Sequence, residues 1–110
     1  MSRLTTHVLD TAKGCPAVGI KVTVERQLTA GNFEAVGGGI TNSDGRVPEL
    51  LKPEFFARGI YRIRFETASY HQSQGFFPYV EIVFEVKNPD QHHHVPLLIS
   101  PFGFSTYRGS

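Results

Sequence analysis

Apolar and polar residues alternate with a period of two along most of this chain. That is the spacing at which strand side chains fall on opposite faces of a sheet. Val18, Ile20, Val22 and Val24 alternate with Gly19, Lys21 and Thr23. Tyr61, Ile63 and Phe65 alternate with Arg62, Arg64 and Glu66; Val80, Ile82, Phe84 and Val86 alternate with Glu81, Val83, Glu85 and Lys87. Residues 4–10, LTTHVLD, set Thr5, His7 and Leu9 on one face and Thr6, Val8 and Asp10 on the other. In residues 92–99, Val95, Leu97 and Ile99 form a core face with His93. His92 and His94 share the opposite face with Pro96 and Leu98, so His94 points away from the core. Phe33 to Thr41 is a further strand. Its three glycines, Gly37 to Gly39, predict a bulge or the close approach of another backbone segment.

Turn signals separate these runs. They are Thr11–Ala17 with Gly14 and Pro16, Gly31-Asn32, the NSDGR stretch from Asn42 to Arg46, Asn88-Pro89-Asp90 and Ser100-Pro101. Residues 67–74 are the one segment readable as a helix; it is short, poor in apolar residues and closed by Gly75. Seven or eight strands with one short helix predict an all-β sandwich, a single domain over residues 1–110.

Composition narrows the function without naming one. A hydrophobic fraction of 40% with nine Phe and four Tyr excludes a disordered chain. A net charge of +1 gives no basis for binding nucleic acid or an anionic membrane. No run is long enough to cross a membrane as a helix, and MSRLTTHV lacks the apolar stretch of a signal peptide, so a cytoplasmic protein is expected. Cys15 is the only cysteine, which rules out an intrachain disulfide framework; beside Gly14 and Pro16 it reads as a bystander thiol in a turn.

The candidate chemistry is concentrated in three places. His7 lies mid-strand after Thr5 and Thr6, Arg46 is fixed to the end of the Asp44-Gly45 turn, and His94 occupies the outward face of the last long strand. A neutral imidazole can take a proton from water near neutral pH. A fixed guanidinium can bind a carbonyl-rich ligand and stabilise developing negative charge. The sequence holds no nucleophile elbow and no glycine-rich phosphate loop. A metal reading also fits: His92 and His94 on one strand face, with His7 alongside, would offer three imidazoles to zinc. Beyond them, the chain stays well patterned to its end, through Phe102, Phe104 and Tyr107 to Ser110. Chain ends are usually frayed, so this one is expected to be docked, with its carboxylate at a fixed place.

LTTHVLD, the SDGR turn, FFPYVEIVF, HHHVPLLISP and the terminal STYRGS together resemble the transthyretin-related 5-hydroxyisourate hydrolases. The resemblance covers essentially the whole chain. Its most specific part is Tyr107-Arg108-Gly109-Ser110, an ending that hormone-carrier transthyretins lack. The resemblance implies a transthyretin-like sandwich and a homotetramer in which two dimers, paired through edge strands, pack face to face over a channel. It implies hydrolysis of a ring amide of 5-hydroxyisourate to 2-oxo-4-hydroxy-4-carboxy-5-ureidoimidazoline in urate breakdown, with no cofactor. Carried onto this chain, it implies catalytic roles for His7, Arg46, His94 and Ser110, and substrate contacts from His7, Arg46 and Tyr107. His7 or His94 would activate water, and Arg46 would stabilise the oxyanion. Two readings compete: a zinc-dependent hydrolase through His7, His92 and His94, and a carrier of a flat aromatic ligand. The chain departs from the family in having His93 where Tyr is common, which parity turns inward, and Phe102 and Phe104 where Tyr is frequent.

Overall fold

The computed structural model describes residues 3–110. Its strands are β1 (Leu4–Asp10), β2 (Cys15–Pro16), β3 (Lys21–Thr29), β4 (Asn32–Ile40), β5 (Gly59–Glu66), β6 (Val80–Val86), β7 (His93–Ser100) and β8 (Gly103–Thr106). They form two four-stranded sheets, ordered β2-β1-β7-β8 and β4-β3-β5-β6. Neighbours are antiparallel except β1 and β7, which run parallel. A parallel pair needs a long crossover, and here the whole second sheet is that crossover.

The inner faces are those the alternation predicts. Leu4, Val8, Val95, Leu97 and Ile99 of the first sheet meet Val22, Val24, Tyr61, Ile63, Phe65, Val80 and Val86 of the second in one buried core. Fully burying such a side chain is worth ~1.5–3 kcal/mol. A one-residue slip in β1 or β7 would expose the set, so register is strongly specified. His93 is on this inner face, with Nδ1 2.9 Å from the Gln91 carbonyl oxygen. Its ring lies edge-on to Phe56, centroids 5.3 Å apart. The buried polar groups are paired: the Thr6 hydroxyl donates to the Val95 carbonyl at 2.7 Å. The Thr41 hydroxyl donates to the Ala17 carbonyl at 2.8 Å and accepts from the Ile20 N–H at 2.9 Å.

The glycine tract of β4 does both things its composition predicts. The ladder with β3 shifts register between Val24 and Glu25. The loop after residue 46 crosses the tract, with the Gly38 N–H donating to the Leu50 carbonyl at 2.9 Å. A Cβ on Gly37 would overlap that carbonyl oxygen.

The expected helix over residues 67–74 is not there. The segment is a run of turns in which Gln72 and Ser73 take φ of 54° and 60°, outside the helical region. Too few apolar positions hold it in helical register. The only helical turn among the described residues is a 3₁₀ segment, Pro53–Phe55, tied down by the Tyr61 hydroxyl, which donates to the Phe55 carbonyl at 2.8 Å. Two boundaries also differ. Val18 precedes β3, because Gly19 turns the chain at φ +85°. Cys15, exposed, leaves the turn to pair with Asp10 in β2.

Pro96 sits in β7, an interior strand, where proline is rarely found. Its carbonyl accepts from the Thr106 hydroxyl at 2.7 Å, so its backbone polar edge faces β8. With no N–H to offer on that edge, it interrupts the ladder there. β8 accordingly stops at Thr106, opposite Leu97, the residue beside the proline. No helix among the described residues is long and apolar enough to cross a membrane.

Candidate active site

The parallel register sets Thr5 opposite His94 and His7 opposite Pro96. Paired residues carry their side chains on the same side of a sheet. Thr5, His7 and His94 therefore share the outer face of the first sheet, away from the core.

Arg46 reaches this face from the far side of β1. The Asn42 side-chain oxygen accepts from the N–H groups of Asp44 at 2.9 Å and Arg46 at 3.1 Å, which winds the turn. The Gly45 carbonyl accepts from the Val8 N–H at 2.8 Å, which fastens the turn to β1. Gly45 has φ +75°, and a Cβ there would overlap the Val8 carbonyl oxygen. Only glycine fits both the backbone conformation and the close approach. Arg46 then forms an isolated antiparallel bridge with His7.

The chain end reaches the same face from the other side. The register that opposes Leu97 and Thr106 recurs three residues on, where the Gly109 N–H donates to the His94 carbonyl at 2.8 Å. Gly109 lies flat against the His94 ring: a Cβ on it would overlap His94 Cδ2. Arg108 is directed elsewhere, with its guanidinium 3.4 Å from the Gln91 amide oxygen. The end of the chain is thus docked at Gly109, as expected, while Tyr107 remains 61% exposed and Ser110 is exposed beyond the bridge.

His94 is held on two edges. Its Nδ1 lies 2.8 Å from the Thr5 hydroxyl oxygen, and its Cδ2 edge meets Gly109. That leaves Nε2 as the ring nitrogen free to meet a ligand. Partial burial, then the nearby Arg46, His92 and His7, push the His94 pKa below the ordinary histidine value, against an opposing hydrogen bond that the ring donates to the Thr5 backbone. That shift favours the neutral ring, the form that can accept a proton. His92 stacks beside it at 6.3 Å between centroids, and its Nε2 lies 2.9 Å from the same Thr5 oxygen.

Of the residues singled out in the sequence, His7, Arg46 and His94 come together on one face, with His92 at its edge. Tyr107 and Ser110 flank the Gly109 bridge in the chain and are exposed. Two residues escaped the sequence reading. Thr5 gave one usable signal, its shared parity with His7, but its partner on β7 depends on a register that spacing does not reveal. Gly109 gave none. The three imidazoles do not converge as zinc ligands: among the described residues no three His, Cys, Asp or Glu side chains are grouped to hold a metal ion. The Thr5 hydroxyl stands between two of them.

A family model, that of the HIUase/Transthyretin family, matches residues 4–109. The chain belongs to this family. Among curated members, it is 42% identical over 118 residues to a 5-hydroxyisourate hydrolase of Pseudomonas aeruginosa, covering 100% of this chain and 93% of that protein. It is 44% identical over 113 residues to that of Mus musculus, covering 99% and 96%. Solved structures of the family share the fold. Sea bream transthyretin in complex with thyroxine superposes with a TM-score of 0.90 at 29% identity, covering 98% of this chain and 95% of that one. The Klebsiella pneumoniae 5-hydroxyisourate hydrolase superposes with a TM-score of 0.82 at 33% identity, covering 97% and 98%. The expected transthyretin-like sandwich is therefore the fold of this chain.

Proposed function

We propose that this protein hydrolyses 5-hydroxyisourate to 2-oxo-4-hydroxy-4-carboxy-5-ureidoimidazoline, a step of urate breakdown. The observation that carries the proposal is the convergence of Arg46 and a neutral His94 on one outward face, with His7 bridged to Arg46. The Pseudomonas aeruginosa and Mus musculus relatives carry the name of this activity.

His94 Nε2 takes a proton from water as the water oxygen attacks the ring carbonyl carbon. The carbonyl electrons move to oxygen, and Arg46 stabilises that oxyanion. When the tetrahedral intermediate collapses, the ring C–N bond breaks and the imidazolium returns its proton to the leaving nitrogen. The products are a carboxylic acid, which loses its proton to solvent, and a ureido group, and the base is regenerated. His7 lies beside Arg46, where it orients the substrate or the water; Tyr107 covers the flat ring, and Ser110 completes the rim. Burial of neutral His94 supports its choice as base over His7.

The face is open in one chain, since Arg46 and Tyr107 are exposed. Closing it requires a second surface, so the working form is a tetramer of two edge-paired dimers. The β4 edge is partly covered by the loop pairing Leu51 with Gly37, and β2 has only two residues. β6 and β8 are the edges left for pairing.

The test is the decay of 5-hydroxyisourate absorbance, with substrate generated in place by urate oxidase and protein treated exhaustively with EDTA. Accelerated decay is expected. Decay at the uncatalysed rate that zinc restores would favour the three-histidine metal site instead. No acceleration in either case, from folded protein, would favour a carrier of a flat aromatic ligand. Arg46→Ala is expected to lower kcat by about 10²–10³-fold, the cost of removing one oxyanion donor; an Arg46→Ala variant as fast as the parent would sink the assignment.

A further inference from the structure

We infer that Thr5 is a positioning residue that selects the active tautomer of His94, using the exposed His92 as the terminus of its hydrogen bond. This rests on the reading of His94 as the base. One hydroxyl oxygen lies 2.8 Å from His94 Nδ1 and 2.9 Å from His92 Nε2. A hydroxyl has a single hydrogen and two acceptor lone pairs. It can donate to only one of the two rings.

If Thr5 donates to His94 Nδ1, the neutral ring must carry its proton on Nε2. The nitrogen facing the site is then a donor and cannot take a proton from water. If Thr5 donates to His92 Nε2, its oxygen accepts from His94 Nδ1–H, and His94 Nε2 presents a bare lone pair. The second direction is the productive one. It needs an acceptor for the hydroxyl hydrogen, and His92 Nε2 supplies it. His92 thus needs no contact with the reacting atoms, yet it determines where the proton on His94 resides. The register that pairs Thr5 with His94 places the hydroxyl for this, and the clamp of Gly109 on the opposite ring edge keeps the imidazole from flipping. The charge of the nearby Arg46 disfavours a second proton on the ring.

The experiment combines ¹⁵N NMR of the histidine rings with kinetics on the intact protein, for the parent, Thr5→Val and Thr5→Ser. Resonances are assigned by comparison with His92→Asn and His94→Asn. In the parent, His94 is expected to carry its proton on Nδ1. Thr5→Val keeps the branched shape of the side chain but loses the hydroxyl. It is expected to move the His94 population toward Nε2–H and to lower kcat by about 10–100-fold, the usual cost of losing a ligand-orienting partner, with KM little changed. Thr5→Ser restores both, and it also serves if the valine variant folds poorly. A parent His94 protonated on Nε2, or a Thr5→Val protein with the parent tautomer, would overturn the inference. A tautomer shift without loss of kcat would uphold the role of Thr5 and overturn His94 as the base.

Discussion

At the scale of single residues, His94 is defined by what is absent beside it. Gly109 has no side chain, and the imidazole edge occupies the space a methyl group would take. Gly109→Ala must push the ring off its seat, because the opposing atom belongs to a ring already fixed by Thr5. We expect kcat/KM to fall by about 10-fold or more, the scale on which loss of a ligand-orienting contact acts, with thermal stability nearly unchanged. The control is Gly103→Ala, where a Cβ would find only an ordinary contact with the Ser100 hydroxyl at 3.7 Å. Equal activity in the two variants would show that the clamp on His94 is dispensable. Reading the sequence for reactive side chains misses such a position, because its contribution is an empty volume.

At the scale of elements, the turns at 67–74 are held to the sandwich by one buried group. The Tyr70 hydroxyl donates to an Asp10 carboxylate oxygen at 2.6 Å, and the Ala12 and Lys13 N–H groups donate to the other oxygen, each at 2.9 Å. Burial alone would raise the Asp10 pKa. The Tyr70 hydroxyl and the two amides outweigh it and hold the carboxyl below its ordinary value. A depressed carboxylate contributes stability that is present above its unfolded pKa and is lost as pH falls through the folded one. Tyr70→Phe is therefore expected to cost about 1.5–3 kcal/mol near neutral pH, the worth of a hydrogen bond to a charged group. The deficit should shrink below the ordinary Asp range, as urea titrations at several pH values would measure. A deficit that is constant with pH would mean that the hydroxyl contributes packing and not charge stabilisation.

The strands themselves were legible because each buries one face, and period two leaves no other arrangement for Tyr61-Ile63-Phe65 or Val95-Leu97-Ile99. The segment at 67–74 was misread because it lacks that constraint; its shape comes from contacts such as Tyr70 with Asp10, sixty residues away. The same holds at the site. His7, Arg46 and His94 stood out by residue type and by family resemblance. Thr5 became visible only once β1 and β7 were paired in register.

At the scale of the whole molecule, the two faces of the first sheet have opposite tasks: one is sealed by the second sheet and the other carries the site in the open. The outer face of the second sheet is different again. There the Arg62 guanidinium donates to both Glu25 carboxylate oxygens, at 2.9 and 3.0 Å, and Arg64 is shared between Glu66 and Glu81. Such half-buried pairs at the surface add little stability, but they make that face a poor surface for burial in an assembly. The site face, with the half-buried Leu9 and Leu98 beside the histidines, suits it better. Size-exclusion chromatography with light scattering is expected to give a mass of four chains. A clean monomer at micromolar concentration would contradict a site closed by a second copy.

Pro96 has a consequence for how the molecule comes apart. Opening of a β-ladder spreads from rung to rung, and a missing rung is a firebreak. The residues after Thr106 can lift away without unzipping β8, because no backbone N–H rung at the proline transmits their loss to Leu97 or Leu98, and the Thr106 hydroxyl stays on the Pro96 carbonyl. Release of the segment then costs the Gly109–His94 bond, of order 1 kcal/mol, together with the Arg108–Gln91 contact and the packing of Gly109 on the His94 ring. The rest of the sheet keeps its far higher opening energy. The sequence thus writes a perforation into an interior strand, one that separates a tail free to open from a scaffold that stays closed.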